Sequence, residues 1–150
     1  MEVKYEVKYK LPIPKWVKKR IAKPKGVYAH ENYPESRYAI DFLMPVGTPI
    51  LAARTGKILK VKDDSDKWGL SFQYADKVNY VVVKHIDGTF AEYLHFGKNQ
   101  IVVKRGDKVK TGDLLGYSGL SGCMDKPHLH FNVFKIQNRK TISIKVEFQK

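Results

Sequence analysis

Short runs of β-branched and aromatic residues, broken at regular intervals by Gly and Asp, constrain this chain more than any other feature. Tyr80–Lys84 and residues 89–94 flank Asp87-Gly88, a pair suited to a tight hairpin. Further strands are expected over residues 50–53, 57–61, 101–103, 108–110, 114–117, 129–134 and 142–148. At the start, Val3, Tyr5, Val7, Tyr9 and Leu11 alternate with charged residues, as in a strand with one wet face. Pro12, Pro14 and Pro24 punctuate a basic stretch in which residues 15–21 could form one helical turn. The expected fold is all-β, mainly an antiparallel sheet or sandwich with a barrel-sandwich-like hairpin region. Residues 63–79 read as a long loop walling a groove.

The 150 residues suit one domain with a real core, and 43% hydrophobic content is too apolar for disorder. We divide them into an N-terminal strand and basic linker (1–25) and a main domain (26–150). A net charge of +13 favours an anionic partner: nucleic acid, anionic lipid or an acidic wall polymer. The lysines are scattered and no nucleic-acid motif accompanies them, so specific nucleic-acid recognition is not expected. No run reaches the ~18–20 apolar residues of a membrane-spanning helix. The opening ten residues also lack the apolar stretch of a secretion signal. The single cysteine, Cys123, reads as a bystander thiol in a Gly-rich loop.

Chemistry concentrates in the histidines. His128-Leu-His130 lies in a run of strand-forming residues, so both imidazoles project to one face, an arrangement suited to a metal or its bound water. Asp41 stands among apolar neighbours, where a carboxylate needs a cation or an ion-pair partner. His95 ends the 89–95 run, and alternation puts it on the same face as Tyr93.

Three blocks resemble the lysostaphin-type zinc metallopeptidases that cut peptidoglycan peptides. These are Ala39-Ile-Asp-Phe with Met44-Pro-Val-Gly-Thr-Pro49, Tyr93-Leu-His95, and the Gly-rich loop 116–127 leading into His128-Leu-His-Phe131. The resemblance spans about residues 26–134. It implies an all-β peptidase domain, Zn2+ as cofactor, a peptidoglycan or cell-wall peptide substrate, and action at the cell envelope or outside the cell. Residue by residue, Asp41 and His130 resemble metal ligands, while His95 and His128 resemble the histidines acting on the water and the scissile carbonyl. Zinc would acidify its bound water from 15.7 to about 7. We assign His128 to the water and His95 to the oxyanion, with the roles exchangeable.

The family's other ligand, a histidine four residues before the aspartate, is Arg37 here, which cannot bind zinc. Three accounts stand open. His30 folds back from the polar loop 29–36 and supplies the ligand. Alternatively, the site keeps two ligands and the chain is a non-catalytic fold that binds wall peptides or a protein. In the third account, Glu31 or Glu35 substitutes. The family's glutamate after His-x-His-Phe is Asn132. Residues 103–115 also resemble the hairpins of lipoyl and biotinyl carrier domains, without a lysine placed for modification.

Overall fold

A computed structural model describes residues 8–22, 30 and 33–149. The expected strand positions Val3, Tyr5 and Val7, the linker's Pro24 and the candidate ligand Glu31 lie outside them. An antiparallel eight-stranded sheet dominates. Its path runs from Lys108–Val109 through Gly56–Lys62, Tyr80–Lys84, Phe90–Leu94, His128–Gln137 and Ile40–Leu43 to Ile21–Ala22. Lys140–Ile144 also pairs with His128–Gln137. A second sheet joins Pro49–Leu51, Leu114–Ser118 and Phe96–Ile101. Two short parallel pairings complete the pattern: Lys8–Tyr9 with Glu147–Phe148, and Gly122–Cys123 with Trp68–Gly69.

Register explains what is inside. Antiparallel partners project to the same face of a sheet. His130 lies opposite Asp41 on one side and Leu94 on the other, so these three share a face. Leu129, paired with Phe42, and Phe131, paired with Tyr93, share the opposite face. Phe42, Tyr93, Leu129 and Phe131 are fully buried there and meet Ile50, Phe96 and Leu115 of the second sheet in one core. Slipping the register by one residue would exchange the two faces, putting histidines into the core and phenylalanines into water. The apolar core therefore fixes the placement of the polar cluster.

Some elements differ from the sequence expectation. The strand expected over 101–103 is instead Phe96–Ile101, an edge strand whose Lys98, Asn99 and Gln100 are exposed; their polarity hid it. Residues 142–148 divide into Lys140–Ile144 and Glu147–Phe148. Residues 15–21 form no helix; a single turn closes where the Val17 N–H donates to the Pro14 carbonyl at 3.0 Å. Within 63–79 the strand Trp68–Gly69 is followed by a 3-10 helix, Phe72–Lys77, with Ser71 Oγ accepting from Gln73 N–H. Among the described residues, no helix is long and apolar enough to cross a membrane.

The Tyr93 hydroxyl, buried in the core, accepts the Ala53 backbone N–H at 2.9 Å. Tyr93→Phe should leave that donor without a partner and cost roughly 1–3 kcal/mol in denaturant unfolding. Asp87, at the tip of the hairpin between Tyr80–Lys84 and Phe90–Leu94, supplies an acid signature. Burial opposes its ionisation, but hydrogen bonds from Thr89 and then Arg54 hold the carboxyl at about 2. The folded carboxyl ionises more readily than the unfolded one, so its contribution is complete above about pH 3.8 and fades as pH falls toward 2. Asp87→Asn should flatten that part of the acid-unfolding curve, modestly because the side chain is partly exposed.

Candidate active site

Three imidazoles converge on Asp41. His30 Nε2 lies 3.3 Å from Oδ2, His130 Nδ1 3.2 Å from Oδ1, and His128 Nε2 3.7 Å from Oδ1. Two of the rings have their tautomer set elsewhere. His30 Nδ1 lies 2.9 Å from the Ala39 carbonyl and His128 Nδ1 2.8 Å from the Lys126 carbonyl. A carbonyl only accepts, so each Nδ1 carries a proton and Nε2 is the ring atom turned to Asp41. At His30 that atom faces a carboxylate oxygen, where it can donate a proton to the carboxylate or share a cation with it. His30, Asp41 and His130 each offer one ligand atom, and these atoms lie within 4.8 Å of one another. His30 is nearest Asp41 Oδ2 and His130 nearest Oδ1, so the carboxylate lies between the two rings. The donor set, two imidazoles and a carboxylate with room for a fourth partner, fits a catalytic zinc.

Electrostatics agree with this geometry. Burial alone would raise the Asp41 carboxyl, but hydrogen bonds with His130 and His30, and then the charges of His130 and His128, hold it far below the usual carboxylate range. Burial pulls His130 down, yet its bond to Asp41 and that charge raise it overall. His95 goes the other way: burial first, then neighbouring His128, lowers it to about 3, so the ring is neutral.

His95 reaches the cluster by a route the alternation did not foresee. Tyr93 faces the core, and strict alternation would send His95 there too. Instead His95 has φ of 82°, a left-handed conformation rare for a side chain of this size. That twist turns the ring to the groove, on the Leu94 and His130 side of the sheet. It is held by both backbone polar groups and by the ring. Its N–H donates to the Asn79 carbonyl, its carbonyl accepts from Gly119, and Nδ1 lies 2.7 Å from the Ser121 carbonyl. Gly119 has no alternative: a Cβ there would sit 2.3 Å from Gly97 Cα. Fully buried Asn79 ties this corner together, donating to the Ser65 and Phe96 carbonyls and receiving Ser65 N–H. Neither Asn79 nor Ser121 carried a sequence signal, because each acts through backbone groups.

The cluster floors an open groove of about 620 Å³. Leu70, Phe72, Ala75 and Val78 form one wall, so the 63–79 segment does line a groove; Tyr33, Glu35 and Ser36 stand opposite. Cys123 also lines it, but burial raises its thiol and Sγ is hydrogen-bonded to the Leu70 carbonyl at 3.5 Å. His85 belongs to another part of the molecule, edge-on to Tyr9 with Nδ1 against the Thr55 carbonyl.

A model of peptidase family M23 matches residues 35–143. The chain belongs to peptidase family M23. It is 41% identical over 106 residues to an uncharacterized metalloprotease of Buchnera aphidicola, covering 69% of this chain and 25% of that one. It is 37% identical over 93 residues to peptidoglycan DD-endopeptidase ShyA of Vibrio cholerae, covering 62% of this chain and 19% of that one. The catalytic domain of lysostaphin from Staphylococcus simulans superposes with a TM-score of 0.54 at 32% identity, covering 71% of this chain and 74% of that domain. The chain thus spans about a quarter or less of the two curated relatives' lengths.

Arg37 of this M23 domain is exposed and does not line the groove. Glu35 lines it, yet the three-donor group that forms contains His30 instead. What carries the loop is a buried polar clamp. Asn132 Nδ2 donates to the Glu35 carbonyl at 2.8 Å and to Glu92 Oε1 at 2.9 Å. Ser143 Oγ donates to Asn132 Oδ1 and accepts the Tyr38 N–H, while the Ser143 N–H donates to the Pro34 carbonyl. The loop so held ends at Ala39, whose carbonyl orients His30. Asn132 is suited to this because an amide both donates and accepts, which an ionised glutamate cannot.

Metal analysis divides these roles. His30→Ala should lose zinc about as severely as His130→Ala, and Arg37→Ala should retain it. Asn132→Ala should weaken zinc binding on the order of 10-fold or more by loosening the loop, as lost supporting bonds do elsewhere. Equal zinc affinity in wild type and His30→Ala would remove His30 from the ligand set.

Proposed function

We propose that this M23 domain is a zinc-dependent endopeptidase that cleaves cross-link peptides of peptidoglycan, with His30, Asp41 and His130 as ligands. The observation that carries the reading is the convergence of His30, Asp41 and His130, whose ligand atoms lie within 4.8 Å of one another at the base of the groove. A non-catalytic, wall-binding reading requires a missing third ligand, and His30 stands in that place. The peptidoglycan substrate rests on the activities named for the relatives, together with an open groove that admits an extended chain.

Zinc, when bound, supplies Lewis acidity that acidifies water and polarises a carbonyl. The protein supplies the rest. His128 and His95 lie 4.5 Å apart between ring centres with their planes tilted by 58°, and neither belongs to the three-donor group. Both have Nδ1 bonded to a backbone carbonyl, so tautomer does not divide their roles. His128, 3.7 Å from Asp41, is placed to take a proton from the attacking water. His95, its Nδ1–H held by the Ser121 carbonyl, is the second imidazole; a proton taken up on its other nitrogen during turnover would stabilise the oxyanion, and the two roles can exchange. The apolar wall of Leu70, Phe72 and Val78 excludes water from one side of the substrate chain.

Cleavage of purified peptidoglycan, with bound zinc measured on each variant, tests this. His128→Ala and His95→Ala should keep the metal and each lose on the order of 10²-fold or more in rate. The double variant should lose less than the product, since both act on one transition state. Cys123→Ser should be nearly silent. Retained activity in both histidine variants would break the assignment, and an inactive Cys123→Ser would point to a thiol mechanism.

A further inference from the structure

The groove-bearing face of the main sheet continues past the histidines to a different kind of surface. Lys108 lies directly opposite Lys57, and Lys57 directly opposite Lys84. Cross-strand partners share a face, so these three ammonium groups form one row over three adjacent strands, about 5 Å apart at the backbone. Lys60, opposite Val82, lies on the same face, because Val82 and Lys84 are two residues apart on one strand. All four lysines are exposed. Beside Lys60, a depression adds Lys104 and Arg105, facing Asp63.

Like charges placed directly opposite destabilise a sheet, and proteins usually relieve them with acidic partners. Here none of Lys57, Lys60, Lys84 and Lys108 forms an ion pair with any residue described. The nearby carboxylates are engaged in their own turns: Asp87 with Thr89 and Arg54, Asp107 with the Lys104 backbone N–H. Glu92, farther along the face, accepts from Asn132. Among the described residues, the row is a line of positive charge without an ion-pair partner.

We propose that this lysine row is a docking strip for a linear polymer of repeated phosphodiester groups without bases, such as a polyol phosphate. The row itself is all lysine. Lysine meets phosphate as a point charge, whereas planar, two-pronged recognition of carboxylate favours arginine. Aromatic stacking of nucleobases has little to use here. The aromatic pair that continues the row, Phe90 opposite Lys84 and then Phe134, stacks on itself at 5.2 Å with planes 14° apart. One face of each ring is therefore covered, where base stacking needs open faces. The strip lies on the same sheet face as the peptidase groove, so a polymer held there would bring its attached material alongside the site. The binding itself does not depend on the zinc-peptidase reading, and either can fail alone.

The test measures binding of the full chain to inorganic polyphosphate across a salt series, with a poly-dT oligonucleotide and poly-glutamate of similar charge as comparisons. Wild type should bind polyphosphate more tightly than the other two. The variant Lys57→Gln/Lys84→Gln/Lys108→Gln should lose affinity on the order of 10-fold or more at low salt, and its salt slope should fall by about 2, given ~0.7 per phosphate contact on a single chain. A control with the same charge loss, Lys18→Gln/Lys98→Gln/Lys140→Gln, should lose much less. Lys84→Gln alone should give a smaller loss in the same direction, which serves if the triple variant folds poorly. The proposal is overturned by equal losses in strip and control variants, by no binding of polyphosphate, or by poly-glutamate binding as well. Tighter binding of poly-dT would assign the strip to nucleic acid instead.

Discussion

Everything at the site depends on one cross-strand pair, His130 opposite Asp41. The pair is set by its neighbours rather than by its own attraction. Leu129 with Phe42 and Phe131 with Tyr93 bury four large apolar side chains on the other side of the same strands. Each is worth roughly 1.5–3 kcal/mol on burial. A shifted register would forfeit that burial and also bury imidazole and carboxylate without partners. The hydrophobic face is the clamp, and the polar face is what it holds. This lets a carboxylate sit against three imidazoles, with no lysine or arginine among the described residues paired to it. His30, Asp41 and His130 are thereby left close enough to share a cation.

The remaining parts hang from that pair by backbone hydrogen bonds. His95 needs a strained conformation, and Asn79, Ser121 and Gly119 fix it from three directions. Strain of this kind persists only where the surroundings over-determine it. His30 needs a loop that doubles back, and Asn132 with Ser143 holds that loop. Both devices are rigid, so the groove's histidines are preorganised before any substrate arrives, which is what stabilising a transient charge requires.

The sequence made the scaffold legible because strand signals are local. Alternation around His128 and His130, and the Asp87-Gly88 turn, are visible in a few residues each. Asp41 announced itself as a charge in an apolar run. Other features depend on long-range pairing and left no local mark. The Phe96–Ile101 strand is polar at its centre, so its edge position could not be read from its residues. The facing of His95 reversed the expectation from alternation, since one positive φ cancels a two-residue period. The candidate ligand His30 was visible as one of three possibilities for the role vacated at Arg37. Choosing among them takes the distance across a folded loop, and the clamp that sets this distance joins residues 97 and 105 positions apart.

The central claim is that His30 completes a three-residue zinc site in a chain whose usual ligand position holds Arg37. Anomalous diffraction at the zinc edge, on crystals grown with stoichiometric zinc, tests it most directly. The account predicts one strong peak about 2.0–2.2 Å from His30 Nε2, His130 Nδ1 and an Asp41 carboxylate oxygen. A peak that leaves His30 outside coordination distance, or no peak between these residues, would contradict it.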